Sequence, residues 1–355
     1  MKIALSTGGG DAPGLNAVIR GAVLAAVNRG WTCVGIRRGF ASLLGEDELM
    51  PLGANEVRGI THLGGTILGT TNRGDPFKWR EPLPDGTTKE HDRSDEVVTA
   101  VRAHEIDALI VIGGDGSLTI AQQLMAKGIP IVGVPKTIDN DVAGTVATFG
   151  FDTAVSTATD AIDRLHSTAE SHERVMVVEV MGRQAGFIAL HSGIAGSADV
   201  ILIPEIPFDI EKICEKIRQR EAIGRRFSIV VVAEGATPKG GMEIYKDVDR
   251  RRLGGIAERV ARQIEQVTGK ETRSLVLGHL QRGGGPTTFD RLLALRFGAA
   301  AVRLVAEKQF GMMVALQPPE IVPVTIESAL KTPKRVALHS DTIATAREIG
   351  ISFGD

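Results

Sequence analysis

Short apolar runs recur along the chain, and most of them end in glycine or in a polar cluster. Several are continuous rather than alternating, as in strands that are buried on both faces of a parallel sheet. Amphipathic stretches typical of helices lie between them. This alternation predicts an α/β fold with mostly parallel sheets and helices on both faces. The predicted strands are Lys2–Ser6, Ala108–Ile112, Ile129–Val134, Val175–Val180, Val200–Ile203, Ile229–Ala233 and Ser274–Leu277.

The organisation of the chain follows from the same pattern. The sequence predicts a domain boundary near residue 150 and a polar surface excursion over Phe77–Asp92. In folds of this class ligands bind at the carboxyl ends of the strands, and each cluster considered below follows a predicted strand. The predicted helices are Leu15–Asn28, Glu96–His104, Thr153–Glu170, Asp209–Glu221, Gly254–Val267 and Arg291–Lys308.

Composition restricts the classes of function. The 355 residues carry 41 Lys and Arg against 43 Asp and Glu, and this net charge of −2 argues against a nucleic-acid-binding protein, which usually has a basic excess. Two cysteines imply no disulfide framework. No run approaches the ~20 apolar residues of a membrane span, and the N-terminal apolar run is too short for a signal peptide. We therefore expect a cytoplasmic protein.

Two glycine-rich turns are candidate anion sites. In Gly8–Arg20 three glycines lead into a predicted helix, for which Asp11 and Pro13 suit the first turn. Such turns present amide groups to an anion, although a tight structural turn would have the same sequence. The second turn is Gly113–Thr119, where Asp115 could hold Mg²⁺ and Ser117 could cap the next helix.

A third segment, Pro135–Val142, contains Asp139 and Asp141 two residues apart. On an extended segment the two carboxylates would point to the same side, where one could accept a hydroxyl proton and the other could organise a metal ion. An Asx-rich turn is the purely structural alternative.

Basic side chains flank two later strands. Arg174 and Arg183 bracket one of them, and arginine can hold a phosphate or stabilise a transferring phosphoryl group. Arg273, His279 and Arg282 surround another strand as three candidate anion ligands. Surface ion pairs and a structural histidine are the alternatives.

Five segments resemble the phosphofructokinase family in order and spacing: GGDAPGLNAVIR, GGDGS, KTIDND, VEVMGRQAG and LGHLQRGGGP with a following DR. The resemblance runs over essentially the whole chain. It implies two doubly wound, Rossmann-like α/β lobes with mostly parallel sheets. In that division residues 1–150 with about 281–331 bind the phosphoryl donor, and residues 151–280 with about 332–355 bind fructose 6-phosphate.

The resemblance implies transfer of a phosphoryl group from ATP, with Mg²⁺, to the 1-hydroxyl of fructose 6-phosphate. Asp139 is then the general base, and Thr137 and Arg183 complete the catalytic group. Asp115 and Asp141 hold the metal ion. The donor ligands are Gly10, Arg73, Gly113, Gly114, Asp115, Gly116, Ser117 and Lys136. The sugar-phosphate ligands are Thr137, Asp139, Arg174, Met181, Gly182, Arg183, Glu234, Arg273, His279 and Arg282.

The resemblance also implies a homo-oligomer, typically a tetramer, in which Arg174 and Arg273 reach the sugar phosphate of a neighbouring subunit.

Two residues give opposite indications of the donor. Gly116 favours ATP, since family members that use pyrophosphate generally carry aspartate there. Lys136 favours pyrophosphate, because many bacterial ATP enzymes have glycine at that position. Arg73 is one position later than the arginine of the bacterial ATP enzymes.

We expect ATP to be the donor. An aspartate at position 116 would block a nucleotide, and this chain has glycine there. The lysine at position 136 disfavours a nucleotide less strongly than such a block would. A pyrophosphate-dependent phosphotransferase is the alternative within the same chemistry. A non-catalytic sugar-phosphate-binding subunit would not need Asp115, Asp139 and Arg183, all of which are present. A dinucleotide-dependent dehydrogenase is disfavoured because the first turn lacks GxGxxG.

Overall fold

The computed structural model describes residues 1–82, 87–243, 245–247 and 252–355. The internal contacts divide the chain into two compact units. Unit 1 comprises Met1–Thr137, Val142–Asp152 and Arg282–Pro333. Unit 2 comprises Ile138–Asp141, Thr153–Gln281 and Lys334–Asp355. The short segment 138–141 therefore groups with unit 2, although the sequence division placed it in the first lobe.

Strands and helices alternate over much of the described chain. The strands are β1 (Lys2–Thr7), β2 (Thr32–Ile36), β3 (Met50–Leu52), β4 (Trp79–Pro82), β5 (Thr88–His91), β6 (Ala108–Gly113), β7 (Ile131–Pro135), β8 (Val175–Val180), β9 (Val200–Leu202), β10 (Ser228–Ala233), β11 (Tyr245–Asp247), β12 (Arg252–Leu253), β13 (Thr272–Val276), β14 (Met312–Gln317) and β15 (Glu320–Thr325). The α-helices are α1 (Leu15–Val27), α2 (Ser94–Ala103), α3 (Asp115–Ala126), α4 (Phe151–His172), α5 (Phe187–Ala195), α6 (Ile210–Ala222), α7 (Ile256–Thr268), α8 (Thr288–Ala306), α9 (Ile326–Lys331) and α10 (Asp341–Glu348).

Unit 1 is built on a seven-stranded sheet in the order β15-β14-β7-β6-β1-β2-β3. The five inner strands run parallel, and the edge strands β3 and β15 are antiparallel to their neighbours. Strand β1 lies inside the sheet beside the central strand β6, with Ile3 paired to Cys33 on one side and to Ala108 on the other. Because the inner strands are parallel, the turns that follow β1, β6 and β7 leave the sheet at the same edge.

Helices α1 and α8 pack with their backbones in close approach. A Cβ atom at Gly21 would lie 2.6 Å from the carbonyl oxygen of Leu295, and one at Gly298 would lie 2.3 Å from that of Val18. Glycine is required at both positions because any side chain would push the helices apart. The helices thus cover one part of the sheet core, which contains Ile3, Leu5 and Phe297 among its fully buried side chains.

Unit 2 contains a four-stranded parallel sheet in the order β13-β8-β10-β9. Its core is formed mainly by apolar side chains of β8, β9 and β10 and of α6 and α7. The buried carboxylate of Glu179, on β8, accepts hydrogen bonds from the amides of Gly255 and Ala257 at 3.0–3.1 Å. These amides begin α7, so an acidic side chain of the sheet caps the helix that covers it.

The α/β class with mostly parallel sheets is confirmed, and each predicted strand and helix has a counterpart, with ends shifted by a few residues. The excursion over Phe77–Asp92 contains the antiparallel pair β4 and β5, and residues 83–86 lie outside the described part of the chain. No helix among the described residues is both long and apolar enough to span a bilayer.

The roles predicted for residues near two helix starts are wrong. Helix α1 begins at Leu15 after Gly14, so Asp11 and Pro13 precede the helix instead of forming its first turn. Helix α3 begins at Asp115 after Gly114, so Ser117 lies inside the first turn and does not cap it. In both cases a glycine precedes the helix, and at Gly14 a φ of 107° favours glycine.

Candidate active site

The turn after β1 crosses the carboxyl edge of the unit 1 sheet. The amide of Gly8 donates to the carbonyl of Ile112, and the amide of Gly9 donates to that of Thr71. Gly9 has a φ of 77°, in the left-handed region that favours glycine. The hydroxyl of Thr70 donates to the carbonyl oxygen of Gly9 over 2.6 Å. The turn is therefore tied to its neighbours by backbone and side-chain bonds.

Two buried or half-buried cations contact the same turn. The Nζ atom of Lys136, which follows β7, donates to the carbonyl oxygen of Gly10. The Nη1 atom of Arg282 donates to the carbonyl oxygen of Asp11 over 2.9 Å. Lys136 is only 3% exposed, so the fold buries its ammonium group against the turn. The predicted donor residues Gly10 and Lys136 are thus in direct contact, and Arg282, predicted as a sugar-phosphate ligand, joins them in unit 1.

The second glycine-rich turn joins β6 to α3. Gly113 ends the strand, Gly114 precedes the helix, and Asp115, Gly116 and Ser117 form its first turn. Amide groups at this point have no partner within the helix and attract anions. The structure therefore brings the five predicted donor residues of this turn to one helix start.

Ser117 explains why two of the neighbouring positions are glycine. Its Oγ atom lies 2.5 Å from where a Cβ atom would stand at Gly8, and at the same distance from one at Gly113. Gly116 is different, because a Cβ atom there would meet no atom within 4 Å. Space beside Gly8 and Gly113 is filled by the protein, whereas space beside Gly116 is open.

Arg73 and Thr137 also belong to unit 1. Arg73 is exposed, and its amide donates to the hydroxyl of Thr71 over 3.0 Å in the segment that supports Gly9. Thr137 is 8% exposed, and its carbonyl oxygen accepts from the hydroxyl of Thr148 over 2.7 Å. Both residues therefore lie in segments that carry the predicted donor ligands.

In unit 2 the predicted base and the predicted arginine are neighbours. The Asp139 carboxylate is buried, and its Oδ2 atom lies 3.6 Å from Nε of Arg183. Asn140 has a φ of 53°, so the segment from Asp139 to Asp141 is not the extended one on which the two carboxylates would point to the same side. The left-handed residue turns the backbone between the two aspartates.

Asp141 is linked to the segment that returns to unit 2 after α9. The amide of Lys334 donates to the Asp141 carbonyl over 2.9 Å. Burial lowers the pKa of Lys334 to about 8, and the negative charge of Asp141 opposes that change. Lys334 thus balances the charge of Asp141, the predicted metal ligand. This pairing was not predicted from the sequence.

Arg183 also contacts the end of β10. Its amide donates to Oε1 of Glu234 over 3.0 Å. Burial raises the pKa of Glu234 to about 7, with smaller contributions from the negative charges of Asp139 and Glu179. Met181 and Gly182 precede Arg183, and the amide of Met181 donates to Gln281 over 3.4 Å. Four predicted sugar ligands therefore lie at the ends of β8 and β10.

Arg174 and Arg273 meet at a residue that the sequence analysis did not single out. Nε of Arg174 lies 2.9 Å from Oε2 of Glu271, and Nη2 of Arg273 donates to Oε1 of the same carboxylate. Hydrogen bonding to Arg174 holds the pKa of Glu271 below its ordinary value. The two arginines predicted to share one phosphate are thus close together in the same chain.

The three cations predicted around β13 belong to two different units. Arg273 lies on the strand, and His279 is exposed in the 3-10 helix Gly278–Arg282. Arg282 belongs to unit 1 and contacts the glycine turn. The three residues flank one strand in the sequence, but the chain passes from unit 2 to unit 1 at Arg282. The sequence pattern did not reveal this division.

Among the described residues no three His, Cys, Asp or Glu side chains converge as a preformed metal cage. Magnesium does not require one, since it is usually held by one or two carboxylates together with substrate phosphates and water. Asp115 at the start of α3 in unit 1 and Asp141 in unit 2 remain candidate ligands of this kind.

Comparisons with known proteins identify the family of the chain. Residues 2–305 match the sequence profile of the family described as Phosphofructokinase. The ATP-dependent 6-phosphofructokinase of Chloroflexus aggregans is 54% identical over 100% of this chain and 98% of its own length. The pyrophosphate--fructose 6-phosphate 1-phosphotransferase of Amycolatopsis methanolica is 49% identical over 95% of this chain and 96% of its own.

A solved structure is similar over nearly all of the chain. The T-state crystal structure of Pichia pastoris phosphofructokinase superposes with a TM-score of 0.80 and 32% identity. The alignment covers 98% of this chain and 36% of the Pichia chain, so this protein spans about a third of that longer polypeptide. On the family profile and the full-length identity, this chain belongs to the phosphofructokinase family.

Proposed function

We propose that the chain is an ATP-dependent 6-phosphofructokinase, which transfers the γ-phosphoryl group of ATP to the 1-hydroxyl of fructose 6-phosphate in glycolysis. The product is fructose 1,6-bisphosphate. The observation that carries the proposal is the buried Asp139 carboxylate beside Arg183, because it supplies a proton acceptor next to a cation. The similarity to ATP-dependent 6-phosphofructokinases over the full length supports it.

The acceptor residues of unit 2 have suitable chemistry for a sugar phosphate. Glu234, Met181, Gly182 and the Arg183 backbone offer polar and apolar contacts to the sugar at the ends of β8 and β10. The arginine pair, defined as Arg174 and Arg273, can bind the 6-phosphate with charge-assisted hydrogen bonds. We propose that His279 and Arg282 also bind the 6-phosphate.

The donor residues of unit 1 suit a chain of phosphates. The amides of Gly10 and of the α3 start, from Gly113 to Ser117, can donate to phosphate oxygens. Arg73 and Lys136 add positive charge. The open space beside Gly116 leaves room for a nucleotide, and this favours ATP over pyrophosphate.

Asp115 and Asp141 are the residues that would hold Mg²⁺. When bound, the ion neutralises charge on the transferring phosphates. Two carboxylates in such turns fit the small number of protein ligands that magnesium uses.

Transfer of the phosphoryl group needs one proton acceptor and several cations. Asp139 accepts the proton of the 1-hydroxyl as the sugar oxygen attacks the γ-phosphorus. The bond from that phosphorus to the β,γ-bridging oxygen breaks, and ADP leaves with the electron pair. Arg183 stabilises the negative charge of the transferring group, and Thr137 orients it.

A coupled assay with fructose 6-phosphate and either donor tests the proposal. ATP should support turnover, and pyrophosphate should support little or none. The second candidate, a pyrophosphate-dependent phosphotransferase, has the buried Lys136 and the Amycolatopsis relative in its favour. Turnover with pyrophosphate alone would establish that candidate, and turnover with neither donor would refute both.

We further propose a homo-oligomer, a tetramer by its family, in which the arginine pair binds the sugar phosphate of a neighbouring subunit. A mixture of two inactive variants tests this arrangement. Asp139→Asn subunits supply intact arginines, and Arg273→Ala subunits supply an intact base. If the active site is shared, dissociation and reassembly of the mixture restores part of the activity, whereas unshared sites remain inactive.

We also propose a cytoplasmic location, where both substrates of the reaction are formed. Cys33 and Cys214 are buried free thiols, as expected in a reducing compartment. Fractionation of cells with an antibody against the chain would test this location, and recovery outside the cytoplasmic fraction would contradict it.

A further inference from the structure

Three successive carbonyl groups of the first glycine turn are each held by a side chain. The Gly9 carbonyl accepts from the Thr70 hydroxyl over 2.6 Å. The Gly10 carbonyl accepts from Nζ of Lys136, and the Asp11 carbonyl accepts from Nη1 of Arg282. All of these residues belong to unit 1. The turn is thus fixed through its oxygen atoms.

Fixing a carbonyl also fixes the next amide. In a planar trans peptide the C=O of one residue and the N–H of the next point in opposite directions. The bond to the Gly9 carbonyl therefore directs the Gly10 amide away from Thr70, and the bond to the Gly10 carbonyl directs the Asp11 amide away from Lys136. Among the described residues, none accepts a hydrogen bond from either of these amides.

Successive amides that point the same way form a concave anion site. The amides of Gly10 and Asp11 can serve such a site only while the carbonyls behind them stay in place. A free glycine peptide rotates readily because no side chain restricts its backbone angles. The hydrogen bonds to the Gly9 and Gly10 carbonyls therefore decide whether the anion site is preformed.

Lys136 makes the middle one of these three hydrogen bonds, to the Gly10 carbonyl. Its ammonium group is buried against the loop, and a Cβ atom at Gly9 would lie 3.3 Å from Nζ. The interaction is with the side of the turn opposite to the Asp11 amide. A lysine in this position thus has a structural task in the donor turn that does not depend on which donor is used.

We infer that Lys136 is a positioning residue, which holds the Gly10 carbonyl and so directs the Asp11 amide at the phosphoryl donor. The inference rests on the proposed function. It removes the conflict between Lys136 and Gly116, because a lysine that positions the turn is compatible with ATP. The alternative is that the ammonium group selects the donor by its own charge.

Steady-state kinetics of Lys136→Met and Lys136→Arg separate the two roles. Methionine keeps the apolar stem but cannot donate, so we expect kcat with ATP to fall by about 10- to 100-fold while KM for fructose 6-phosphate changes less than about twofold. Arginine keeps the donor and should restore most of the loss. Unchanged or faster ATP turnover in Lys136→Met would overturn the inference and favour donor selection.

Two further variants make the test independent of folding. Lys127→Met is the matched control, since Lys127 lies in the same unit and pairs with Asp95 at the surface. It should leave kcat unchanged. Thr70→Val releases the Gly9 carbonyl with little change of shape, and we expect it to lower kcat in the same way. Full activity of Thr70→Val would contradict the role of the tied carbonyls.

A crystal structure of Lys136→Met separates this inference from the proposed function. We expect the peptide between Gly10 and Asp11 to rotate when its tie is removed, whatever the enzyme's donor. An unrotated peptide would refute the positioning role even if the parent protein uses ATP. Conversely, a parent protein that uses neither donor would refute the proposed function, while the rotation would still test Lys136.

Discussion

Nε of Arg183 lies 3.6 Å from Oδ2 of Asp139, and the two side chains differ sharply in exposure. The carboxylate is 3% exposed, whereas the arginine side chain is 55% exposed. The pair thus places a possible proton acceptor beside a cation and away from bulk water. The exposed arginine remains accessible to a ligand, which suits a group that stabilises a transferring phosphoryl.

Replacement of Asp139 by asparagine tests the assigned base. Asparagine has the same shape but does not accept a proton, so we expect kcat to fall by about 100- to 10,000-fold. KM for fructose 6-phosphate should change little, because the sugar contacts remain. Thermal unfolding of the variant provides the folding control. A kcat within about tenfold of the parent would show that another group accepts the proton.

Gly116 gives the sharpest test of the donor. A Cβ atom there meets no atom of the protein within 4 Å, so a substitution acts on the ligand and not on the packing. Gly116→Asp should reduce ATP turnover by at least about 100-fold, because the new carboxylate repels the nucleotide phosphates. The measurement is kcat/KM for ATP at saturating fructose 6-phosphate.

Two matched variants separate charge from volume at this position. Gly116→Asn has nearly the same volume as aspartate without its charge, and it should retain more ATP turnover. Gly116→Ala should retain most activity and should stabilise α3 by about 0.5–1 kcal/mol, since alanine is the better helix former. An aspartate variant as active with ATP as the parent would mean that the donor phosphates do not approach position 116.

Glu271 is the internal partner of the arginine pair. Since its carboxylate contacts both Arg174 and Arg273, it competes with any phosphate that binds them. Glu271→Gln removes the charge, so we expect KM for fructose 6-phosphate to fall by about twofold to tenfold with kcat little changed. Glu173→Gln is the control, because Glu173 pairs with Arg226 instead. A KM that rises in Glu271→Gln would show that Glu271 orients the arginines for the phosphate.

Local sequence patterns predicted all four strands of the unit 2 sheet but missed the two outer strands on each side of the unit 1 sheet. Strand β6 is a continuous apolar run and is fully buried, as its sequence pattern predicts for a strand covered on both faces. Strand β15 has half-buried and exposed side chains without strict alternation and contains Pro323. Its pairing with β14 is a contact within the folded unit, and no local pattern specifies it.

The site was predictable to the extent that it lies in turns after strands. The segments with Asp139, Arg183 and Glu234 were each identified separately, and their contacts join residues far apart in the sequence. Glu271 was present in a segment already marked by Arg273, but a surface glutamate has no distinguishing local signal. Lys334 was also missed, because its hydrogen bond to Asp141 depends on how the C-terminal segment returns to unit 2.

The raised pKa of Glu234, about 7 against an ordinary 4.5, makes the stability of the protein depend on pH. Between these two values the folded protein binds a proton that the unfolded chain has released. The free energy of unfolding therefore falls as the pH rises from about 4.5 through about 7, by about 3 kcal/mol in total. Burial is the main cause, because it disfavours the charged carboxylate.

Glu234→Gln isolates this contribution. Glutamine cannot ionise, yet its Oε1 atom can still accept the hydrogen bond from the Arg183 amide. We therefore expect the Tm of the variant, relative to the parent, to increase between about pH 5 and about pH 8 as the parent loses stability. Calorimetry at several pH values measures the difference, and Glu211→Gln, at an exposed position of the same unit, is the control. A difference in Tm that is the same at both pH values would mean that Glu234 is already charged in the folded protein at about pH 5, and that its burial is relieved by water.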